Sequence, residues 1–144
     1  MAVTLTVPNE LKFELGKGAI DRSSDTFVLV FMESGFVFDP DTDGTYSDIS
    51  GEEITSAGGY TVGGESLTVD SAWAQDNAND RATMTFVDKV VTPSGAAFDT
   101  FCAVCIVDTS HASDVVCACI EFGQNVDVPD GQPFTVKDIR LSSD

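Results

Sequence analysis

Short apolar runs separated by polar turns recur along the chain, and most of them alternate with the two-residue period of a β-strand. The strongest run, residues 26–32, is apolar at odd and even positions alike, so side chains on both faces of a strand would be apolar. This predicts a strand covered on both faces or covered by a partner subunit. Alternation returns at residues 65–70 and 82–87. Residues 101–107 and 115–122 flank a short polar segment, which is typical of a β-hairpin.

A final strand is predicted over residues 134–141, with a register slip of the kind that a β-bulge makes. The one helical pattern is residues 8–15, where Pro8 suits the first position and apolar residues recur every four. This pattern predicts an all-β fold, a β-sandwich or jelly-roll-like domain with one short N-terminal helix. The length of 144 residues predicts a single domain, 1–144.

Two segments depart from the strand pattern. Residues 1–7 are short and strand-like, and we interpret them as an N-terminal arm for pairing with a neighbour's sheet edge. Residues 33–59 are rich in Asp, Ser, Thr and Gly, which is typical of a long functional or mobile loop. Two glycine pairs follow, and they predict a turn of positive φ that places Tyr60 in a packed or interface position. The glycines of this structural turn are Gly58, Gly59, Gly63 and Gly64.

The charge of the chain limits its partners. There are 24 acidic and 7 basic residues, a formal charge of −17 that repels nucleic acid and anionic membranes. No apolar run approaches the roughly 20 residues that span a bilayer. Residues 1–7 also lack the pattern of a signal peptide. We therefore expect no direct nucleic acid partner, no membrane partner, and synthesis and folding in a cytoplasm.

Four cysteines lie in the predicted hairpin: Cys102, Cys105, Cys117 and Cys119. Because a cytoplasm is reducing, the favoured interpretation is free thiols that pack a strand face. A zinc site and a cross-strand disulfide formed by late oxidation are the alternatives. One hairpin register places Cys105 opposite Cys117, and a shift by one residue places Cys102 opposite Cys119.

The acidic residues Asp39, Asp41 and Asp43 precede Gly44, as in the opening of a calcium-binding loop. The twelfth position, where such a loop carries a bidentate glutamate, is Ser50. These residues are therefore weak metal candidates, and a solvated acidic turn is favoured. We expect no cofactor.

Two other groups of residues are considered as functional sites, one for catalysis and one for sugar binding. His111, the one histidine, stands beside two serines in the predicted hairpin turn, where solvent would surround it. Catalysis needs an oriented base in a pocket that excludes water, so this pattern does not indicate an enzyme. Trp73, Phe98 and Tyr46 are candidates for a sugar-stacking platform, although a single tryptophan in a β domain more often lies in a core or interface.

Six short motifs follow one another along almost the whole chain. They lie at residues 12–21, 24–27, 58–67, 86–88, 120–123 and 131–136. In this order they resemble a family of small β-rich virion structural proteins of tailed bacteriophages, of the head decoration, cement or fibre-base type. The hairpin with the cysteines departs from the family pattern, in which aromatic or aliphatic residues are common there.

The resemblance implies a structural component of the virion without catalytic activity. We expect a capsid decoration or cement protein, a homotrimer or homodimer that docks on the major capsid protein at the capsid exterior and stabilises the shell. A tail, neck or carbohydrate-recognising receptor-binding component is the alternative, and a calcium-binding β module is a further one. The residues predicted to form interfaces are Val3, Leu5, Val7, Phe27, Leu29, Phe31, Tyr60 and Trp73.

Overall fold

The computed structural model describes residues 4–143, which are 41% strand and 11% helix. The predicted all-β, sandwich-like fold is confirmed. The strands are β1 (Thr4–Thr6), β2 (Phe27–Glu33), β3 (Glu65–Ser66), β4 (Val69–Asp76), β5 (Arg81–Phe86), β6 (Lys89–Val91), β7 (Phe101–Asp108), β8 (Val115–Val126), β9 (Phe134–Val136) and β10 (Arg140–Ser143). The helices are α1 (Asn9–Gly16), which matches the predicted helix, and α2 (Tyr46–Ile49), which a 3₁₀ turn at Ser50–Glu52 follows.

Residues 4–143 contain three antiparallel sheets. The largest has the order β1-β8-β7-β2-β3, and the smaller ones are β10-β5-β4 and β6-β9. The main core lies between the large sheet and the two small ones, since it joins Phe31 and Ile106 to Met84, Val136 and Leu141. The predicted single strand at residues 134–141 is in fact two strands in different sheets, because the chain turns between them at Asp138, where φ is 54°.

Strand β2 has apolar side chains at odd and even positions because both of its faces are buried. Phe27, Leu29 and Phe31 face the main core, whereas Val30 and Met32 face a second core on the outer side of the large sheet. Phe36, Phe38 and Ile49 of the same chain complete that second core. We call residues 34–52 the outer-face cover. A partner subunit is therefore not needed to cover β2.

Several predicted interface residues have no surface to offer a partner. Phe27, Leu29, Phe31 and Tyr60 are all buried in the main core, so their assignment to an interface is wrong. The physical reason is that the pattern of a strand buried on both faces is the same whether its own chain or another chain covers it.

The outer-face cover is tied to the large sheet rather than being an irregular loop. The amide of Tyr46 donates to the carbonyl of Asp114 at 2.8 Å, and the amide of Val116 donates to the carbonyl of Gly44 at 2.9 Å. Helix α2 begins after Thr45, whose amide donates to the carboxylate of Asp48 at 2.9 Å. Neither α2 nor the 3₁₀ turn was predicted, because each is shorter than the window in which helical periodicity can be recognised.

The cysteine hairpin has a different register from both of those predicted. Cys105 pairs with Cys119 across β7 and β8, with 4.1 Å between their Cα atoms, and the two form a disulfide. Cys102 and Cys117 are free. Val107 pairs with Val116 near the turn, which already differs from both predicted registers, and a register shift between Ile106 and Val107 moves the pairing by one further residue and brings Cys105 opposite Cys119. The interpretation of four free thiols is thus wrong for Cys105 and Cys119.

The two lateral sides of the sandwich differ. On one side the chain passes directly from β3 in the large sheet to β4 in a small one, and the amide of Leu67 donates to the carbonyl of Phe27 at 3.0 Å. On the other side β1 and β10 are both edge strands. We call this the open side. Strand β1 pairs with β8 of its own chain, so the described part of the predicted N-terminal arm is already paired, and Val3 lies outside the described residues.

Candidate functional site

A cavity of about 130 Å³ lies on the open side, between β1 and β10. We call it the arginine cavity, because all three arginines of the chain line it. Arg22 comes from the segment between α1 and β2, Arg81 from the start of β5 and Arg140 from the start of β10. The remaining lining residues are Leu5, Val7, Cys117, Ala118, Leu141 and Ser142.

Arg22 is the most enclosed of the three, with 7% of its surface exposed. Its guanidinium lies over the ring of Trp73, 4.7 Å from the ring centre. One terminal nitrogen, Nη1, donates to the carbonyl oxygen of Ser142 at 3.4 Å. Within residues 4–143, Nε has no hydrogen-bond partner. Burial lowers the pKa of Arg22 below its ordinary value, since removing the charged form from water is unfavourable.

The other two arginines are less buried. Nε of Arg81 lies 3.1 Å from a carboxylate oxygen of Asp76, its partner across the β4-β5 pair. Arg140 is exposed and makes no ion pair within the described part of the chain. Burial raises the pKa of the Cys117 thiol to about 12, so that this lining residue is neutral. The arginine cavity is therefore positively charged.

A second polar cluster, the Glu53 network, joins Glu53 to Tyr46, Tyr60 and Gly63. Each tyrosine hydroxyl donates to one carboxylate oxygen of Glu53 at 2.5 Å, and the amide of Gly63 donates to it at 2.9 Å. The Tyr60 hydroxyl also accepts from the amide of Phe31 at 3.2 Å. Burial and the Glu53 carboxylate raise the pKa of Tyr46 to about 12 and raise that of Tyr60 further. The network fastens the glycine turn to β2.

The four glycines of this turn all have positive φ, as their pattern predicts. Two of them also leave no room for a side chain. A Cβ atom on Gly58 would lie 2.6 Å from the carbonyl oxygen of Ala96, and one on Gly64 would lie 2.9 Å from that of Leu29. The turn is therefore packed against the backbone of its neighbours, with Tyr60 in the main core.

His111 is held by hydrogen bonds rather than surrounded by solvent. Its Nδ1 accepts from the amide of Ser113 at 3.1 Å, so the ring proton of the neutral form lies on Nε2, which is 3.1 Å from Glu14. Neither ring nitrogen contacts a serine hydroxyl within the described residues. The nearby Asp108 is fully buried and accepts from the amides of Ser110 and His111.

The acidic residues considered for calcium form a hydrogen-bonded turn. Asp39 accepts from the amide of Asp41 at 2.9 Å, Asp43 accepts from the amide of Asp39 at 2.8 Å, and Asp41 accepts from the side chain of Asn9 at 2.6 Å. Within residues 4–143, no group of three or more His, Cys, Asp or Glu side chains is arranged to hold a metal ion.

The aromatic residues considered for sugar binding do not form one platform. Phe98 is buried in the main core, where its ring packs against Phe31 and Tyr60. Tyr46 packs on the second core, on the opposite face of the large sheet. Trp73 is half-buried beneath Arg22. The carbohydrate-binding candidate is therefore overturned for this set of residues, because they lie on different faces.

Sequence reasoning missed the arginine cavity. Its arginines are separated by 59 residues each time, and no local spacing connects them. The one available signal was their scarcity in so acidic a chain. Leu5 and Val7, which were predicted to form an interface, do line this cavity.

Comparison with family models, curated proteins and solved structures finds nothing that matches this chain. Among the described residues, the helices are too short to cross a lipid bilayer. A functional assignment therefore depends on the residues and geometry of the chain itself.

Proposed function

We propose that this chain is a structural protein of a tailed-bacteriophage particle, a capsid decoration or cement protein that docks through its open side. One observation carries the proposal: β1 and β10 are both edge strands and lie on the same side of the sandwich. Leu5 on β1 is 54% exposed at this side. The order of the motifs along the sequence supports a virion protein, and the open side supplies a surface for assembly.

Edge strands support assembly because their unpaired backbone groups can accept a further strand from another chain. The side formed by β3 and β4 is less suited to this, since the chain itself crosses between the sheets there. The charge of −17 keeps separate copies soluble before they assemble. In this proposal the partners are the major capsid protein and further copies of the chain, in a homotrimer or homodimer, and the protein has no catalytic role.

Quantitative mass spectrometry of purified particles tests the location. A decoration or cement protein is present in a copy number close to that of the major capsid protein or a simple fraction of it. A neck or tail component is present in only a few copies per particle. Absence from intact particles would overturn the proposal.

Capsid co-sedimentation tests the docking side. Leu5→Lys places a charge on the exposed part of β1 and is expected to abolish co-sedimentation with capsids while the melting temperature changes little. Val62→Lys is the matched control, because Val62 is 50% exposed but lies in the glycine turn, away from the open side. Equal loss of capsid binding in both variants, or in neither, would contradict docking through the open side.

A further inference from the structure

We propose that the arginine cavity binds a carboxylate group carried on a short apolar stem. The inference depends on the residues of the cavity and does not require the chain to be a virion protein. Composition gives the first argument. Of the residues that the structure describes, those that line the cavity include three arginines and no Asp or Glu, although 24 of the 144 residues of the sequence are acidic.

Other depressions on the described surface differ from the arginine cavity in this respect. Four larger ones are each lined by at least one carboxylate: Asp41 and Asp48 in the first, Glu121 in the second, Asp88 in the third and Glu65 in the fourth. In so acidic a protein, a cavity lined by arginines and without carboxylates is the one that attracts an anion.

The second argument is the state of Arg22. A charge that is nine-tenths buried is unfavourable unless it has a partner. The ring of Trp73 occupies one face of the guanidinium, and this contact leaves the donors in the guanidinium plane free. Ser142 takes one of these donors at 3.4 Å, and Nε, which is enclosed, has no partner within residues 4–143. A carboxylate in the guanidinium plane can accept two parallel hydrogen bonds from the terminal nitrogens.

The third argument is the size and character of the walls. A volume of about 130 Å³ is well above the roughly 30 Å³ that one water molecule occupies in the liquid. It therefore accommodates a carboxylate with a few carbon atoms. Leu5, Val7, Ala118 and Leu141 provide apolar contacts for such a stem. An inorganic phosphate ion would gain nothing from these walls, so a carboxylate with an apolar stem fits them better.

The carboxylate can come from a free organic acid or from a polypeptide side chain that lies along the open side. Because the chain has 24 acidic residues, a second copy is one such source. The chemistry of recognition is the same in both cases. The experiment therefore measures binding first and the source of the carboxylate second.

The test titrates the full chain with sodium butyrate at low ionic strength, followed by NMR chemical shifts and calorimetry. Butyramide, which has the same shape without the charge, and inorganic phosphate are the comparison probes. We expect butyrate to bind more tightly than either, with shifts at Cys117, Ala118 and Leu141. Binding of butyramide as tight as that of butyrate, tighter binding of phosphate, or no butyrate binding at millimolar concentrations would overturn the proposal.

Three variants locate the site. Arg22→Gln is expected to weaken butyrate binding by about tenfold, the loss of one charge-assisted hydrogen-bonded pair. Arg140→Gln, which alters an exposed residue and so keeps the fold, is expected to weaken it about threefold. Lys137→Gln is the matched control, because it removes one exposed positive charge outside the cavity and should leave binding unchanged. An equal effect of Lys137→Gln and Arg140→Gln would mean general attraction of anions and would overturn the assignment.

Sedimentation velocity over a range of protein concentrations identifies the source. Copies that associate, and that separate on addition of butyrate or in Arg140→Gln, show that another copy provides the carboxylate. A chain that stays monomeric and binds butyrate takes the carboxylate from a free acid. Association that neither butyrate nor Arg140→Gln alters, together with absent butyrate binding, contradicts the proposal.

Discussion

The Glu53 network and the arginine cavity each contain a charged side chain that is only 7% exposed. The two side chains differ in the number and length of their hydrogen bonds. The Glu53 carboxylate accepts two tyrosine hydroxyls and a backbone amide at 2.5–2.9 Å. Among the described residues, the Arg22 guanidinium has one hydrogen bond, of 3.4 Å, and an aromatic ring against one face. The Glu53 carboxylate is therefore hydrogen-bonded within the fold, whereas the Arg22 guanidinium keeps N–H donors for a group from another molecule.

This difference has a thermodynamic meaning. Moving a charge out of water is unfavourable, and hydrogen bonds offset the loss only when they are numerous and well directed. Glu53 meets this condition with partners from its own chain, so its removal should disrupt the fold. Arg22 lacks such partners, so its removal should weaken ligand binding more than it lowers the free energy of unfolding. Four substitutions are described here from the largest expected effect to the smallest. Three of them alter the two regions compared, and Asp108→Asn alters another buried charged residue.

Glu53→Ala should lower the free energy of unfolding by about 3 kcal/mol, because the buried Tyr60 hydroxyl, the half-buried Tyr46 hydroxyl and an amide lose their acceptor. Urea denaturation followed by circular dichroism measures the change. Glu52→Ala is the control, since Glu52 is the exposed preceding residue, at the end of the 3₁₀ turn, and its removal should change stability little. A loss below about 1 kcal/mol, the range of a single ordinary hydrogen bond, would contradict a structural role for the network.

Asp108→Asn should raise the free energy of unfolding at pH 8 by about 1–2 kcal/mol. Burial, together with the neighbouring Asp25, raises the pKa of Asp108 to about 7 in the folded protein, from an ordinary 3.8. The native protein therefore retains a proton that the unfolded chain releases, and wild-type stability falls as the pH rises through this window. Asp108→Asn has no ionisable group at this position, so this fall in stability with rising pH should be absent.

The pH dependence distinguishes this explanation from a change in packing. The gain from Asp108→Asn should be largest above pH 7 and should shrink as the pH falls toward 4, where native Asp108 is already neutral. Glu52→Gln removes an exposed charge and should give no such dependence. A gain that is the same at pH 4 and pH 8 would show that charge burial is not its cause.

Tyr60→Phe should lower the free energy of unfolding by about 1–1.5 kcal/mol, because its hydroxyl both donates to Glu53 and accepts from the amide of Phe31. Tyr46→Phe is the matched comparison. Its hydroxyl only donates to Glu53 and lies in a less buried position, so the loss should be about half as large. Equal losses in the two variants would contradict the second role of the Tyr60 hydroxyl.

Arg22→Met should change the free energy of unfolding by less than about 1 kcal/mol, since an apolar side chain of similar length removes both a poorly paired buried charge and its contact with Trp73. Thermal and urea unfolding measure the difference. Comparison with Glu53→Ala is the decisive one, because both substitutions remove a charge of equal exposure. A loss from Arg22→Met as large as that from Glu53→Ala would mean that Arg22 belongs to the fold and would remove the distinction between the two sites.

Elements with a strong local pattern were predictable from the sequence. The alternation at residues 82–87 became β5, the apolar run at 26–32 became β2, and the helix after Pro8 became α1. Local patterns cannot specify which chain covers a buried face. For that reason the sequence pointed toward a partner for β2, where the structure has the outer-face cover.

The arginine cavity and the disulfide were harder to predict, because both depend on long-range geometry. Cys105 faces Cys119 because Val107 pairs with Val116 and a bulge between Ile106 and Val107 shifts the pairing by one more residue. The three arginines meet only after β5, β10 and the segment between α1 and β2 have been assembled from distant parts of the chain. Neither arrangement has a sequence motif, whereas the glycine turn does and was recognised.

The disulfide has a practical consequence for labelling this protein. With Cys105 and Cys119 bonded to each other and Cys117 enclosed, Cys102 is the one thiol that reagents reach in the native state. Its side chain packs with the second core, on the far side of the large sheet from the arginine cavity. A fluorophore attached to Cys102 would therefore report on assembly without obstructing the cavity.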